Sequence, residues 1–221
     1  MDVFMTSSRG KDIKLPNLTS VGGGKVLDLT ESGLKALADA IDYDPSGHHF
    51  LYVVAGIPDA TEMIRMYQNY EEVIFNEHPA AASQRLTNTY LQASDIILNA
   101  GAIPCFATIT TMSLEDWNTT RLNQHKTTHL IHHKQYADMQ HLLNMAIHQT
   151  NTNIIVLNER NGVTTPHLSG LIMNSRGEGE GYRVRYNRLV DGCHPVDWVT
   201  EKWQKTLEEV ASTNRLNWSL R

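Results

Sequence analysis

Apolar and polar positions alternate along this chain with two different periods. Val3 to Thr6, Phe50 to Ala55, Ala102 to Ile109 and Asn153 to Leu157 are short runs with the length and content of strands. The run Phe50-Leu51-Tyr52-Val53-Val54-Ala55 is apolar throughout, the pattern of a strand covered on both faces. Between the runs the spacing becomes helical. Leu34, Leu37, Ala38 and Ile41 share one face; Leu86, Tyr90, Leu91, Ile96 and Ile97 mark a helix over Ala80 to Ala100; Met139, Leu142, Leu143 and Ala146 mark another over Tyr136 to Thr150. Near the end, Val196, Val199, Trp203, Leu207 and Val210 form a stripe flanked by Glu201, Lys202, Lys205 and Glu208. Alternating strands and helices predict an α/β fold, a three-layer α/β/α domain with a mainly parallel sheet. Nothing Pro-rich or Ser-rich divides the chain, so residues 1–221 read as a single domain, with Arg176 to Gly181 as a glycine-rich surface loop.

Composition narrows the function. Nineteen basic against 24 acidic residues give a net charge of −5, which argues against a general polyanion binder, so no nucleic-acid partner is expected. Cys105 and Cys193 stand alone, outside any C-x-x-C pair, and read as free thiols. Met1 to Gly10 lacks the basic and apolar regions of a secretory signal, and no run approaches the roughly 18 apolar residues of a membrane span. The expectation is a cytoplasmic protein without a membrane span.

In open parallel sheets the chemistry collects on loops at the carboxyl ends of strands. Four such loops stand out. Thr6-Ser7-Ser8-Arg9-Gly10 follows the first strand; taken alone, its hydroxyls suit a helix N-cap. Gly22-Gly23-Gly24-Lys25 precedes a helix and is not a Walker A loop, because Thr19 and Val26 occupy two of that motif's required positions. Gly56-Ile57-Pro58-Asp59-Ala60-Thr61 ends the most apolar strand, and Asp191-Gly192-Cys193-His194-Pro195 precedes the last helix. Asp191 and His194, three apart, can hydrogen-bond, which sets the imidazole tautomer and leaves Nε2 free to accept a proton.

In order and spacing these loops resemble the blocks of the SGNH (GDSL-like) hydrolases over nearly the whole chain. Thr6-Ser7-Ser8 occupies the place of Gly-Asp-Ser, Gly23-Gly24-Lys25-Val26-Leu27-Asp28-Leu29 that of the second block, Gly56-Ile57-Pro58-Asp59 that of G-x-N-D, and Asp191 to Pro195 that of D-x-x-H-P. Similar Gly-Ile-x-Asp-x-Thr and Asp-Gly-x-His-Pro patterns suggest a divergent branch, like the SGNH-like proteins of eukaryotic mobile elements and viruses. The resemblance implies a flavodoxin-like fold of the SGNH-hydrolase type and a serine esterase that needs no cofactor or metal. Its substrate would be a small-molecule or acylated ester bearing an acyl or acetyl group. Ser8 would be the nucleophile, with Ser7 the alternative; His194 the base; Asp191 its orienting carboxylate; Gly23, or Gly24, the oxyanion donor; and Gly56 and Asp59 would shape the site loop. Pro58 stands where the family has Asn, and the loss of one oxyanion donor costs on the order of 10²–10³ in rate. A substitute donor such as Thr61, or a catalytically weakened binding module, are the alternatives.

Histidines 125, 129, 132 and 133 offer a further possibility. Those at 125, 129 and 133 are four apart and would share a helix face, as zinc ligands do, but no Glu accompanies them as in H-E-x-x-H. A metal-dependent hydrolase is the third reading. His148 and His167 read as surface or loop residues.

Overall fold

A computed structural model describes residues 3–7, 12–13, 25–43, 48–63, 77–126, 136–175 and 182–220. The elements are β1 (Val3–Ser7), β2 (Asp12–Ile13), α1 (Val26–Tyr43), β3 (His49–Val53), α2 (Ile57–Thr61), α3 (Pro79–Asn99), β4 (Ala102–Phe106), α4 (Leu114–Asn123), α5 (Tyr136–Arg160), β5 (Met173–Ser175), β6 (Tyr182–Val184) and α6 (Asp197–Ser219). The fold is mixed α/β.

β3 is buried along its whole length, as its unbroken apolar run requires. Successive side chains of a strand point to opposite faces, and the two faces of β3 and β4 meet different partners. Leu51, Val53 and Phe106 join the main core with Val26 and Leu29 of α1, Leu86, Tyr90 and Ile97 of α3, and Leu143, Ile147 and Ile154 of α5. Phe50, Tyr52, Ile103 and Cys105 pack instead against Val210, Ala211 and Trp218 of α6. The Phe50 and Trp218 rings meet edge-on at 5.9 Å, and Asn214 of α6 donates to the Tyr52 hydroxyl at 3.1 Å.

The main sheet has the order β2-β1-β3-β4. β3 and β4 are the expected parallel pair, with Leu51 opposite Pro104. The pairings of β1 are antiparallel: Val3 lies opposite Val53, and Ser7 opposite His49. Among the described residues β4 is an outer strand, where a proline that cannot donate is tolerated.

The expected strand at Asn153 to Leu157 is instead the last part of α5, which carries the helix predicted over Tyr136 to Thr150 on to Arg160. Four apolar residues in succession, Ile154 to Leu157, suggest a strand, but only Ile154 and Leu157, three apart, are buried, with Ile155 half-buried and Val156 41% exposed. Ile147, Ile154 and Leu157 follow a helical period into the core. The stretch between Asn158 and Arg188 contains the β5–β6 hairpin and 3-10 turns at Ser169–Leu171 and Tyr186–Arg188. Arg176 to Gly181 lies outside the described residues. Among the described residues no helix is long and apolar enough to cross a membrane.

Candidate active site

The chain leaves β3 through Gly56, whose φ of 120° belongs to the region that favours glycine. A Cβ here would collide with the Tyr90 hydroxyl, which donates to Ala55 O at 2.9 Å, and would lie 2.8 Å from Ile109. Glycine is thus required by both backbone and packing. Asp59, one turn further on, is buried, and its Oδ2 accepts from the N–H of Val26 at 3.1 Å. Burial raises its carboxyl above the usual range, against the opposing pull of the N–H donors of Val26 and of Asp59 itself. Asp59 therefore ties this loop to the first residue of α1, two positions after Gly24. The Thr61 hydroxyl donates to Pro58 O at 3.0 Å, so the substitute oxyanion donor is already engaged.

The second loop is built around Asp191. Its Oδ1 accepts from the N–H groups of Cys193 at 3.0 Å and His194 at 2.8 Å, while its Oδ2 lies 2.7 Å from His194 Nδ1. Burial pushes the Asp191 carboxyl up, but the His194 N–H, the His194 ring and the Cys193 N–H together outweigh it and hold it below its ordinary value. An ionised carboxylate accepts only, so Nδ1 carries the proton and the Nε2 lone pair is left free. The His194 side chain is 70% exposed, against 24% for Asp191. Gly192, at φ 83°, makes the turn; its carbonyl accepts from Ser113 N at 2.6 Å, and a Cβ would stand 2.5 Å from Trp117 N. Burial pushes the thiol of Cys193, the residue before His194, up to about 12, so it is not a thiolate at neutral pH.

One segment connects the two loops. Residues 107–113 leave β4 with Ala107 N bonded to Val53 O, bring Ile109 against Gly56, and bring Ser113 to Gly192. From Phe106, the last residue of β4, onward, no described strand lies on the outer side, and the side-chain amides of α5 bond the backbone there. Asn158 Oδ1 accepts from Phe106 N at 3.0 Å and its Nδ2 donates to Phe106 O at 2.7 Å. Asn151 does the same for Ile109, at 2.7 and 2.8 Å. Gln140 donates to Met112 O at 2.9 Å and accepts from Leu114 N at 3.0 Å, and Thr111 bonds Asn144. These amides were missed in the sequence, although Asn144, Asn151 and Asn158 recur at seven-residue intervals, two helical turns each. The Thr110 hydroxyl is the one buried side-chain polar atom among the described residues without a partner.

Gly56 and Asp59 thus follow the carboxyl end of β3, and the segment that leaves the carboxyl end of β4 runs from Gly56 to the loop that holds the Asp191–His194 pair. Ser8, Gly23 and Gly24 lie outside the described residues. Ser7 ends β1 opposite His49, at the start of β3 and so at the other end of that strand from Gly56. Of the histidine cluster, His125 closes the turn after α4 with φ 54°, and the histidines at 129, 132 and 133 lie outside the described residues. No group of metal-ligating side chains occurs among the described residues. His167 is an exposed loop residue and His148 a half-buried residue of α5, and with Thr108, Thr152 and Ser169 they line a pocket of about 180 Å³. No protein-family model, curated protein or solved structure matches the chain.

Proposed function

We propose that this chain is a serine esterase of the SGNH kind, acting on a carboxylic ester of a small molecule or an acylated larger one through Ser8, His194 and Asp191. One observation carries the reading: the imidazole of His194 is held by an ionised carboxylate through Nδ1 and presents Nε2 to solvent. In the reaction, Ser8 Oγ attacks the ester carbonyl as His194 Nε2 takes its proton, and Asp191 stabilises the imidazolium. The alcohol leaves with that proton, and water attacks the acyl-enzyme with His194 again as base. The N–H groups of Ser8 and Gly23 or Gly24 would receive the oxyanion. With Pro58 in place of a donor, turnover is slower by on the order of 10²–10³ than with a full set. The reading extends the mixed α/β fold to a three-layer, flavodoxin-like SGNH architecture, one in which β1 delivers Ser8 to the Gly56 end of the sheet.

The antiparallel register of β1, with Ser7 opposite His49, runs the other way and favours a second reading, a binding module that keeps the loops without the nucleophile. Intact mass after fluorophosphonate treatment separates the two. The esterase reading expects one adduct that is lost in Ser8→Ala and in His194→Ala and kept in Ser7→Ala. No adduct on the folded protein would sink it.

A further inference from the structure

The surface beside the Asp191–His194 loop runs against the charge of the chain as a whole. The molecule carries −5, yet Arg183 of β6, Arg185 just after it and Arg188 of the following 3-10 turn, whose N–H bonds Arg185 O at 3.0 Å, fall within six residues, and Lys202 of α6 shares the Trp198 ring with Arg188. The Arg188 guanidinium sits 4.8 Å and the Lys202 ammonium 5.6 Å from the centre of the Trp198 ring, which is 42% exposed. Arg188 is anchored further by donating from Nη1 to Leu171 O at 2.6 Å. Desolvation, followed by the like charges of Arg185 and Arg183, lowers the Arg188 pKa.

Such clusters usually recruit carboxylates. Here, among the described residues, none lies at ion-pair distance from any of the four cations. Asp191 is committed to His194, and Glu178 and Glu180 fall outside the described residues. The patch is contiguous with the candidate base: Val196 N bonds Arg188 O, Val190 N bonds His194 O, and Leu189 and Pro195 form a bridge.

We propose that Arg183 and Arg185, with Arg188 and Lys202 on Trp198, form a phosphate-binding subsite beside His194, so that the ligand of this site is a soluble ester bearing a phosphate group. Phosphate fits better than carboxylate because it carries close to two charges and three terminal oxygens, enough to be shared among several guanidinium forks. The ester part of this inference rests on the esterase reading; the phosphate contact rests on the cations alone.

The test is calorimetric titration of the full chain with inorganic pyrophosphate, comparing wild type, the Arg183→Gln/Arg185→Gln double variant and Lys126→Gln as a surface control. Saturable binding is expected for wild type and the control, weakened about tenfold or more in the double variant, as the loss of charge-assisted hydrogen bonds implies. Both replaced arginines are at least partly exposed, so the variant keeps its fold. No saturable binding by wild type, or equal affinity in the double variant, would overturn the subsite. Pyrophosphate binding with Ser8 unlabelled by fluorophosphonate would remove the esterase reading and leave the subsite; a labelled Ser8 without pyrophosphate binding would do the reverse.

Discussion

At the residue scale, two loop carboxylates have pKa values shifted in opposite directions. Asp191 accepts three hydrogen bonds and stays ionised, whereas Asp59 is buried with its carboxyl pKa raised. Asp191→Asn keeps the acceptor for the loop N–H groups but turns an amide N–H₂ toward His194 Nδ1. The imidazole then carries its proton on Nε2 and cannot act as base. Esterase kcat should fall by about 10³–10⁴ with little change in thermal stability; retention of near wild-type turnover would show that His194 is not the base. For Asp59 the sign is the other way. A raised folded pKa stabilises the protein below the unfolded value near 3.8, and that contribution is lost as pH rises through the folded value. Asp59→Asn can still accept from Val26 and does not ionise, so its stability relative to wild type should climb across this window and then level off. Urea unfolding at a series of pH values measures this; a difference independent of pH would refute it. Both loops were legible as motifs. The work of Asp59, capping α1 rather than facing a substrate, was not, because a motif names a residue without saying which backbone it meets.

At the scale of elements, the helices were readable wherever an apolar stripe faces a single core, and α5 was misread at its end because its inner face is partly polar. Asn151 and Asn158 lie where a core helix would carry leucines, and each holds both backbone groups of one residue beyond or at the end of β4. Side-chain amides reproduce the donor and acceptor spacing of a neighbouring strand. In this way α5 covers the outer edge of β4 and steers residues 107–113 past Gly56 to Gly192. Asn158→Leu should therefore cost about 2–5 kcal/mol, since it leaves the Phe106 N–H and C=O buried without partners. Thr152→Ala, on the exposed side of the same helix, should stay within about 0.5 kcal/mol of wild type. Denaturant midpoints compare them, and a mild Asn158→Leu would mean that the amide ladder contributes little.

For the whole molecule, the positions of the strands were plain in the sequence but their directions were not. A strand of period two reads the same from either end, so the apolar run at Val3 to Thr6 predicts β1 without saying which way it enters the sheet. Direction decides the function here, because it determines whether Ser7 and the residue after it reach the Gly56 end or the His49 end of β3. Engineered disulfides distinguish the two. In the described register Val3 is the Cα partner of Val53, and cross-strand partners lie about 4.5–5.5 Å apart, within disulfide range. Val3 and His49 are then separated by four residues along the strand, roughly 13 Å at about 3.3 Å each, well beyond that range. Under mild oxidation the described register closes the Val3→Cys/Val53→Cys pair, whereas the esterase reading requires the Val3→Cys/His49→Cys pair to close instead, read as the loss of two hydrogens in intact mass and located by peptide mapping. The native thiols interfere little, since burial pushes both up and leaves scarcely any thiolate. Closure of Val3 with His49 instead would mean that β1 runs parallel to β3 and carries Ser7 toward the loops of Gly56 and His194, the arrangement a Ser8 nucleophile needs. Closure of Val3 with Val53 keeps Ser7 at the His49 end, and the Asp191–His194 pair would then serve a bound ligand rather than this serine.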